Sequence, residues 1–127
     1  MRFYLSINTY TVSGSLKAST TVTASEPVYA VECRATRKGE PWGRGIGTDV
    51  MADDVPAVNG VFTLAEPLTE FSFDVEAAEL VRGDGQYNII LYVLDGRGVW
   101  SATQLFVTSD GKYIITSDGY LFTTQKG

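Results

Sequence analysis

Along most of this chain apolar and polar residues alternate with a period of two, and helical periodicity is hard to find. Phe3, Leu5 and Ile7 alternate with polar neighbours, and Tyr10-Thr11-Val12 runs into a turn at Ser13-Gly14-Ser15, which predicts one or two strands at the edge of a sheet. Thr20, Val22 and Ala24 share one face of a strand expected to stop at Ser25-Glu26-Pro27, because proline has no N–H to give to a ladder. The next strand is expected to start at once, with Tyr29, Val31, Cys33 and Ala35 pointing one way and Glu32, Arg34 and Thr36 pointing to solvent.

Between Lys38 and Asn59 the pattern breaks into Gly39, Pro41, Gly43, Gly45, Gly47, Asp53, Asp54 and Pro56. This is the longest irregular stretch, and such loops on a rigid scaffold commonly carry binding. The plainer reading is a crossing between sheets in which Trp42 covers the edge of the core. Val61 to Leu64 predicts a short strand, Phe71, Phe73 and Val75 another, and Ala77 to Leu80 one turn of helix. The most hydrophobic run, Tyr87 to Leu94, fits a central strand covered on both faces. Asp95-Gly96-Arg97-Gly98 then turns the chain back into Val99 to Val107. The tail repeats itself, Thr108 to Ile115 and Thr116 to Thr123, each copy opening on Thr-Ser-Asp-Gly. Asp-Gly between apolar runs is a hairpin signal, so the tail predicts a three-stranded meander. Its strands are too short to stand alone, so it should pack on the sheets or on a neighbouring subunit.

Composition narrows the function. The chain has 127 residues, one domain's worth, with 44% hydrophobic and 20% charged residues. Net charge is −5 and the basic residues are scattered apart from Arg34, Arg37 and Lys38, which disfavours nucleic acid and anionic membranes. Cys33 is the one cysteine, so no intrachain disulfide forms, and its apolar neighbours predict a buried structural thiol. No stretch reads as a signal peptide or a membrane span, so the expectation is a chain made in the cytoplasm, or a fragment with an added methionine.

Residues 18 to 107 resemble the bacterial immunoglobulin-like and fibronectin-type-III-like repeats of adhesins, surface enzymes and phage tail proteins. The resemblance rests on Thr21-Val22-Thr23-Ala24 with Val28 to Glu32, on Phe71 to Val75 through Leu80, and on Asp84 to Ile89 with Tyr92 to Ser101. It implies an immunoglobulin-like β-sandwich in which the last stretch supplies the F strand, the F–G turn and the G strand. The tail is similar to Ser-Asp-Gly-Tyr repeats that close some tailed-phage virion proteins. The expected organisation is all-β: N-terminal edge strands or an arm over 1–17, the sandwich over 18–107, and a C-terminal β-meander over 108–127.

The chain has no histidine, which removes the commonest general base, the usual hydrolytic triads and the standard zinc enzymes. A paired-carboxylate hydrolase would draw on Asp53, Asp54, Asp74 or Asp84, but these fall on turns and exposed strand faces, where solvated acids belong. Calcium would need oxygen ligands such as Asp49, Asp53, Asp54 and Asp95, but no EF-hand spacing exists, so these read as solvated turn residues. Arg82-Gly83-Asp84 matches the integrin tripeptide and serves equally as a turn, while Gly43-Arg44-Gly45-Ile46-Gly47 lacks the helix and Lys-Ser/Thr pair of a phosphate loop.

The sequence therefore predicts a non-enzymatic protein without metal or cofactor. The leading expectation is a phage or virus structural protein, a decoration, tail or fibre-associated component, made in the host cytoplasm and carried in the virion. Its partners would be other virion proteins or copies of itself, joined through Tyr113, Ile115, Tyr120 and Phe122 of the tail. The alternative is a carbohydrate-binding or adhesin module, extracellular as part of a larger surface protein, that meets host-surface glycan. Its candidate binding residues are Trp42, Arg44, Asp53 and Asp54 of the loop, with Tyr4, Tyr10 and Trp100 as further aromatics.

Overall fold

A computed structural model of the chain describes residues 2–12, 15–37, 39–76, 85–104 and 121–124. The expected helical turn at Ala77 to Leu80, the Arg82-Gly83-Asp84 tripeptide and the first strands of the tail meander lie outside them. Among the described residues seven strands make one antiparallel sheet: β1 (Phe3–Val12), β2 (Ser15–Arg37), β3 (Thr48–Asp49), β4 (Val61–Glu76), β5 (Gly85–Leu94), β6 (Trp100–Gln104) and β7 (Leu121–Thr124). The protein is all-β, and its sheet is curled.

β2 is the spine. Its first arm lies between β1 and the C-terminal half of β4, from Tyr4 opposite Thr23 and Glu70 opposite Thr23 down to Lys17. Its second arm lies between β5, with Ala30 opposite Leu94 through Arg37 opposite Tyr87, and the N-terminal half of β4 followed by β3. β6 and β7 both pair with β5, β6 at Ile90 to Leu94 and β7 at Gly85 to Asn88.

The expected break at Pro27 is a corner instead of an end. β2 runs through it, and Val61 to Leu64 and Phe71 to Val75, read as separate strands, are two arms of β4. Pairing shifts between Thr23 and Val28 and again between Val28 and Ala30, where Val28 opposes Leu68. Extra residues in β2 on one side of that contact, including Pro27, are balanced by extra residues in β4 on the other, including Pro67. Both arms thereby keep one register. A proline without an N–H is tolerated where the ladder is already interrupted.

The corner switches which residues of β2 face inward. Ala18, Thr20 and Val22 are buried before it, and Val31, Cys33 and Ala35 after it. Tyr29, expected to point inward with the latter set, falls in the irregular stretch and is 43% exposed. One core cluster joins the arms: Ala18, Val22, Phe71, Phe73 and Val75 from the first pack with Val31, Cys33, Ile89, Leu91 and Val93 from the second. Each fully buried Val, Leu or Ile contributes about 1.5–3 kcal/mol. After β3 the chain crosses between the arms, with the Val50 N–H donating to Cys33 O at 3.2 Å and the Glu76 N–H donating to Val50 O at 2.8 Å. Burial pushes the Cys33 thiol up, with the Asp49 charge adding to it, so Cys33 is a core side chain.

The run Ile89 to Val93 is buried throughout, as expected for a strand covered on both faces. On the outer face of the same arm the loop 39–47 packs against Glu32 and Thr36 of β2 and Trp100 of β6, and that loop makes the site.

Candidate functional site

On the outer face of the second arm, alternation sets Glu32, Arg34 and Thr36 of β2 beside Ile90 and Tyr92 of β5, with Glu32 directly opposite Tyr92. Glu32 and Thr36 were expected in solvent, and both are buried. The reason is the loop. Gly43 to Ile46 forms a tight turn, closed by the Ile46 N–H donating to Gly43 O at 3.1 Å, with Gly45 at φ 76°. Its tip folds back onto the Glu32 carboxylate. The Gly45 N–H donates to Oε2 at 2.6 Å, and Arg44 Nε donates to Oε1 at 3.1 Å.

Arg34 completes the clasp. Its Nε donates to Glu32 Oε2 at 2.9 Å, and its Nη2 donates to Asn59 O at 3.2 Å. Asn59 and Gly60 both have positive φ and form the two-residue turn between Val58 and Val61, which exchange backbone hydrogen bonds in both directions. That is the Asn-Gly hairpin geometry. An added Cβ at Gly60 would collide with the Arg34 guanidinium, so this turn presses on Arg34. Glu32 thus ties the strand, the loop tip and, through Arg34, the turn before β4.

Burial pushes the Glu32 carboxyl up, but the Gly45 amide, Arg34 and Arg44 together outweigh it and hold the group below its ordinary range. The same burial, with the Glu32 charge opposite, pushes the Tyr92 phenol up. Tyr92 Oη and Thr36 Oγ1 are buried side-chain atoms without a hydrogen-bond partner among the described residues. The Arg44 guanidinium also stacks on Trp100, its carbon 3.6 Å from the ring centroid.

The structure therefore brings together two of the expected binding residues, Arg44 and Trp100. Trp42 stands on the same loop, just before the turn, and is 56% exposed. Tyr4 is exposed on β1, and Tyr10 lies opposite Lys17 in the same strand pair. Asp53 and Asp54 are exposed in a separate turn, where Asp54 sits 3.8 Å from Lys17 of the first arm. Asp54 also lines an open cleft of about 280 Å³ with Val55, Pro56, Phe62, Ser72, Phe73 and Asp74. Asp49, Asp53, Asp54 and Asp95 do not gather: among the described residues no three metal-ligating side chains group together. In the tail, Phe122 lies in β7 opposite Tyr87, while Tyr113, Ile115 and Tyr120 are outside the described residues.

The sequence reading missed Glu32, Arg34 and the Asn59-Gly60 turn. A signal for the first two was present: β5 read as covered on both faces, so the outer face of its neighbour had to lie under the same cover. Asp95, read as a solvated turn residue, is also buried. It accepts from the N–H groups of Arg97 at 2.8 Å and Val99 at 3.0 Å, and from Arg97 Nη2 at 2.9 Å.

What fold and site define is an all-β protein on a curled antiparallel sheet, with a loop locked over one face by a buried carboxylate. No protein-family model, curated protein or solved structure matches the chain.

Proposed function

We propose that this protein is an immunoglobulin-like structural component of a phage or virus particle, a decoration, tail or fibre-associated subunit that works through protein–protein contacts. The observation that carries the reading is the place of β7. The end of the Ser-Asp-Gly tail adds a strand to β5, far from it in sequence, in place of pairing only within the tail. Adding a strand from a chain end is a general way for subunits to interlock, since the same pairing can be made on a neighbour's sheet. The immunoglobulin-like assignment rests on the resemblance over residues 18 to 107 together with the core shared by the two arms.

The test is proteomic. Particles purified from the source culture on a density gradient should contain this chain at a fixed ratio to the major capsid or tail protein. Recovery only in a cell-wall or secreted fraction would overturn the reading.

A second reading, a glycan-binding module, is favoured by Trp42, an aromatic more than half exposed on a loop that is pinned. A glycan array comparing wild type with Trp42→Ala tests it, because a stacking site loses its signal with its ring.

A further inference from the structure

Among the described residues Arg44 commits one nitrogen to a hydrogen bond, its Nε. Its Nε is held by Glu32 Oε1, one face of its guanidinium lies on Trp100, and its two terminal nitrogens have no partner among the described residues. The side chain is 41% exposed, so the guanidinium stands partly at the surface. Arginine ordinarily gives up considerable rotamer freedom when it binds. Here that ordering is already done by the stack, the carboxylate and the turn, which is the condition for binding without a large entropic penalty.

We propose that Arg44 is the anchor of a carboxylate subsite for an acidic sugar, with Trp42 of the same loop as its aromatic surface. The inference rests on the glycan-binding reading and names its ligand class. Three features support it. The free edge of a guanidinium presents parallel N–H groups that match a carboxylate in a bidentate fork. Two guanidinium groups share the single charge of Glu32, so this trio carries net positive charge in a chain whose overall charge is −5. An exposed indole two residues from Arg44 offers the flat apolar face on which a pyranose ring stacks. The carboxylate gives specificity, and the ring gives area.

The experiment uses the full chain, isotope-labelled for NMR, with the arginine Nε–H and tryptophan indole N–H signals as readouts. The probes are methyl glucuronide and a methyl sialoside, with methyl glucoside, the glucuronide methyl ester and acetate as comparators at equal ionic strength. Saturable shifts of the Arg44 and Trp42 signals are expected with at least one acidic sugar. Affinity should be about tenfold weaker for the glucoside and the ester, which lack the charge. Trp42→Ala should weaken the acidic sugar while leaving the unfolding midpoint unchanged, a control independent of the Glu32 clasp. Equal binding of glucuronide and glucoside overturns the proposal but leaves a neutral-glycan site standing. Acetate matching the acidic sugars overturns the sugar assignment. No response to any sugar ends both this proposal and the glycan-binding reading.

Discussion

The loop 39–47 and the hairpin turn 95–98 both hang on a buried carboxylate, Glu32 in one case and Asp95 in the other. In the hairpin every donor lies within four residues of its acceptor, so Asp95 organises a turn that the chain would make nearly unaided. Glu32 instead receives Arg44 and Gly45 from twelve and thirteen residues away. It closes a long, glycine-rich segment whose free ensemble is large. The same functional group therefore fixes a local conformation in one region and a tertiary contact in the other. Only the second should come apart as a unit when its anchor is lost.

The sharpest way to break this comparison is to remove the anchors. Glu32→Ala leaves the part-buried Arg34 without its ion partner and frees the loop tip, and should cost about 3 kcal/mol in urea-unfolding free energy. Trypsin should then cut after Arg44 under native conditions. Asp95→Ala should cost clearly less and leave the loop resistant. Equal losses would mean that both carboxylates serve their regions alike.

Glycine substitutions probe the backbone in the same two places. Gly47 has φ 89°, and an added Cβ would collide with the Ala35 carbonyl oxygen and the Thr36 side chain, so Gly47→Ala should cost about 2–3 kcal/mol. Gly98 has φ 82° with open space around it. Gly98→Ala should therefore cost about 1 kcal/mol, from conformation alone. Thermal unfolding midpoints of the two variants would show the order.

Acid should separate the regions more gently. Both carboxyls are held below their ordinary values, 4.5 for Glu32 and 3.8 for Asp95. The folded state therefore takes up protons less readily than the unfolded chain. The stability these groups contribute is complete above those ordinary values and is lost as pH falls through the lowered folded ones. Glu32→Gln should remove part of that acid slope in midpoints followed from neutral pH downward, and an unchanged slope would assign it elsewhere.

The smallest effect is expected at Tyr92, whose hydroxyl is buried without a partner among the described residues. Tyr92→Phe removes a desolvated polar group and should raise stability by up to about 1 kcal/mol. A loss of similar size would mean that the hydroxyl is bonded in solution.

The contrast also explains what the sequence disclosed. Asp95-Gly96-Arg97-Gly98 was legible as a turn because its physics is contained in four neighbouring residues, although the burial of Asp95 was not. Val31, Cys33, Ala35 and the run Ile89 to Val93 were legible as core because alternation and apolar content report burial directly. Glu32 and Arg34 were misread as solvated because the groups that cover them are brought in by the fold. Pro27 was misread as an end because the compensating irregularity lies in β4, around Pro67. Arg44, Trp42 and Trp100 were named as candidates from residue type and loop position, but the stack of Arg44 on Trp100 depends on pairings that no local window contains.

β2 touches nearly every other part of the sheet, and this has a consequence for the order in which the chain is made. As it emerges from the ribosome, β2 can pair early only with β1, through the short connection at 13–14. Of its other partners, β3 offers only Thr48–Asp49, and β4 from Val61 and β5 from Gly85 are synthesised much later. During that interval the apolar side of the β1–β2 hairpin has nothing to cover it. Folding should therefore be slow and late, governed by contacts distant in sequence. The nascent hairpin is the species that chaperones would meet.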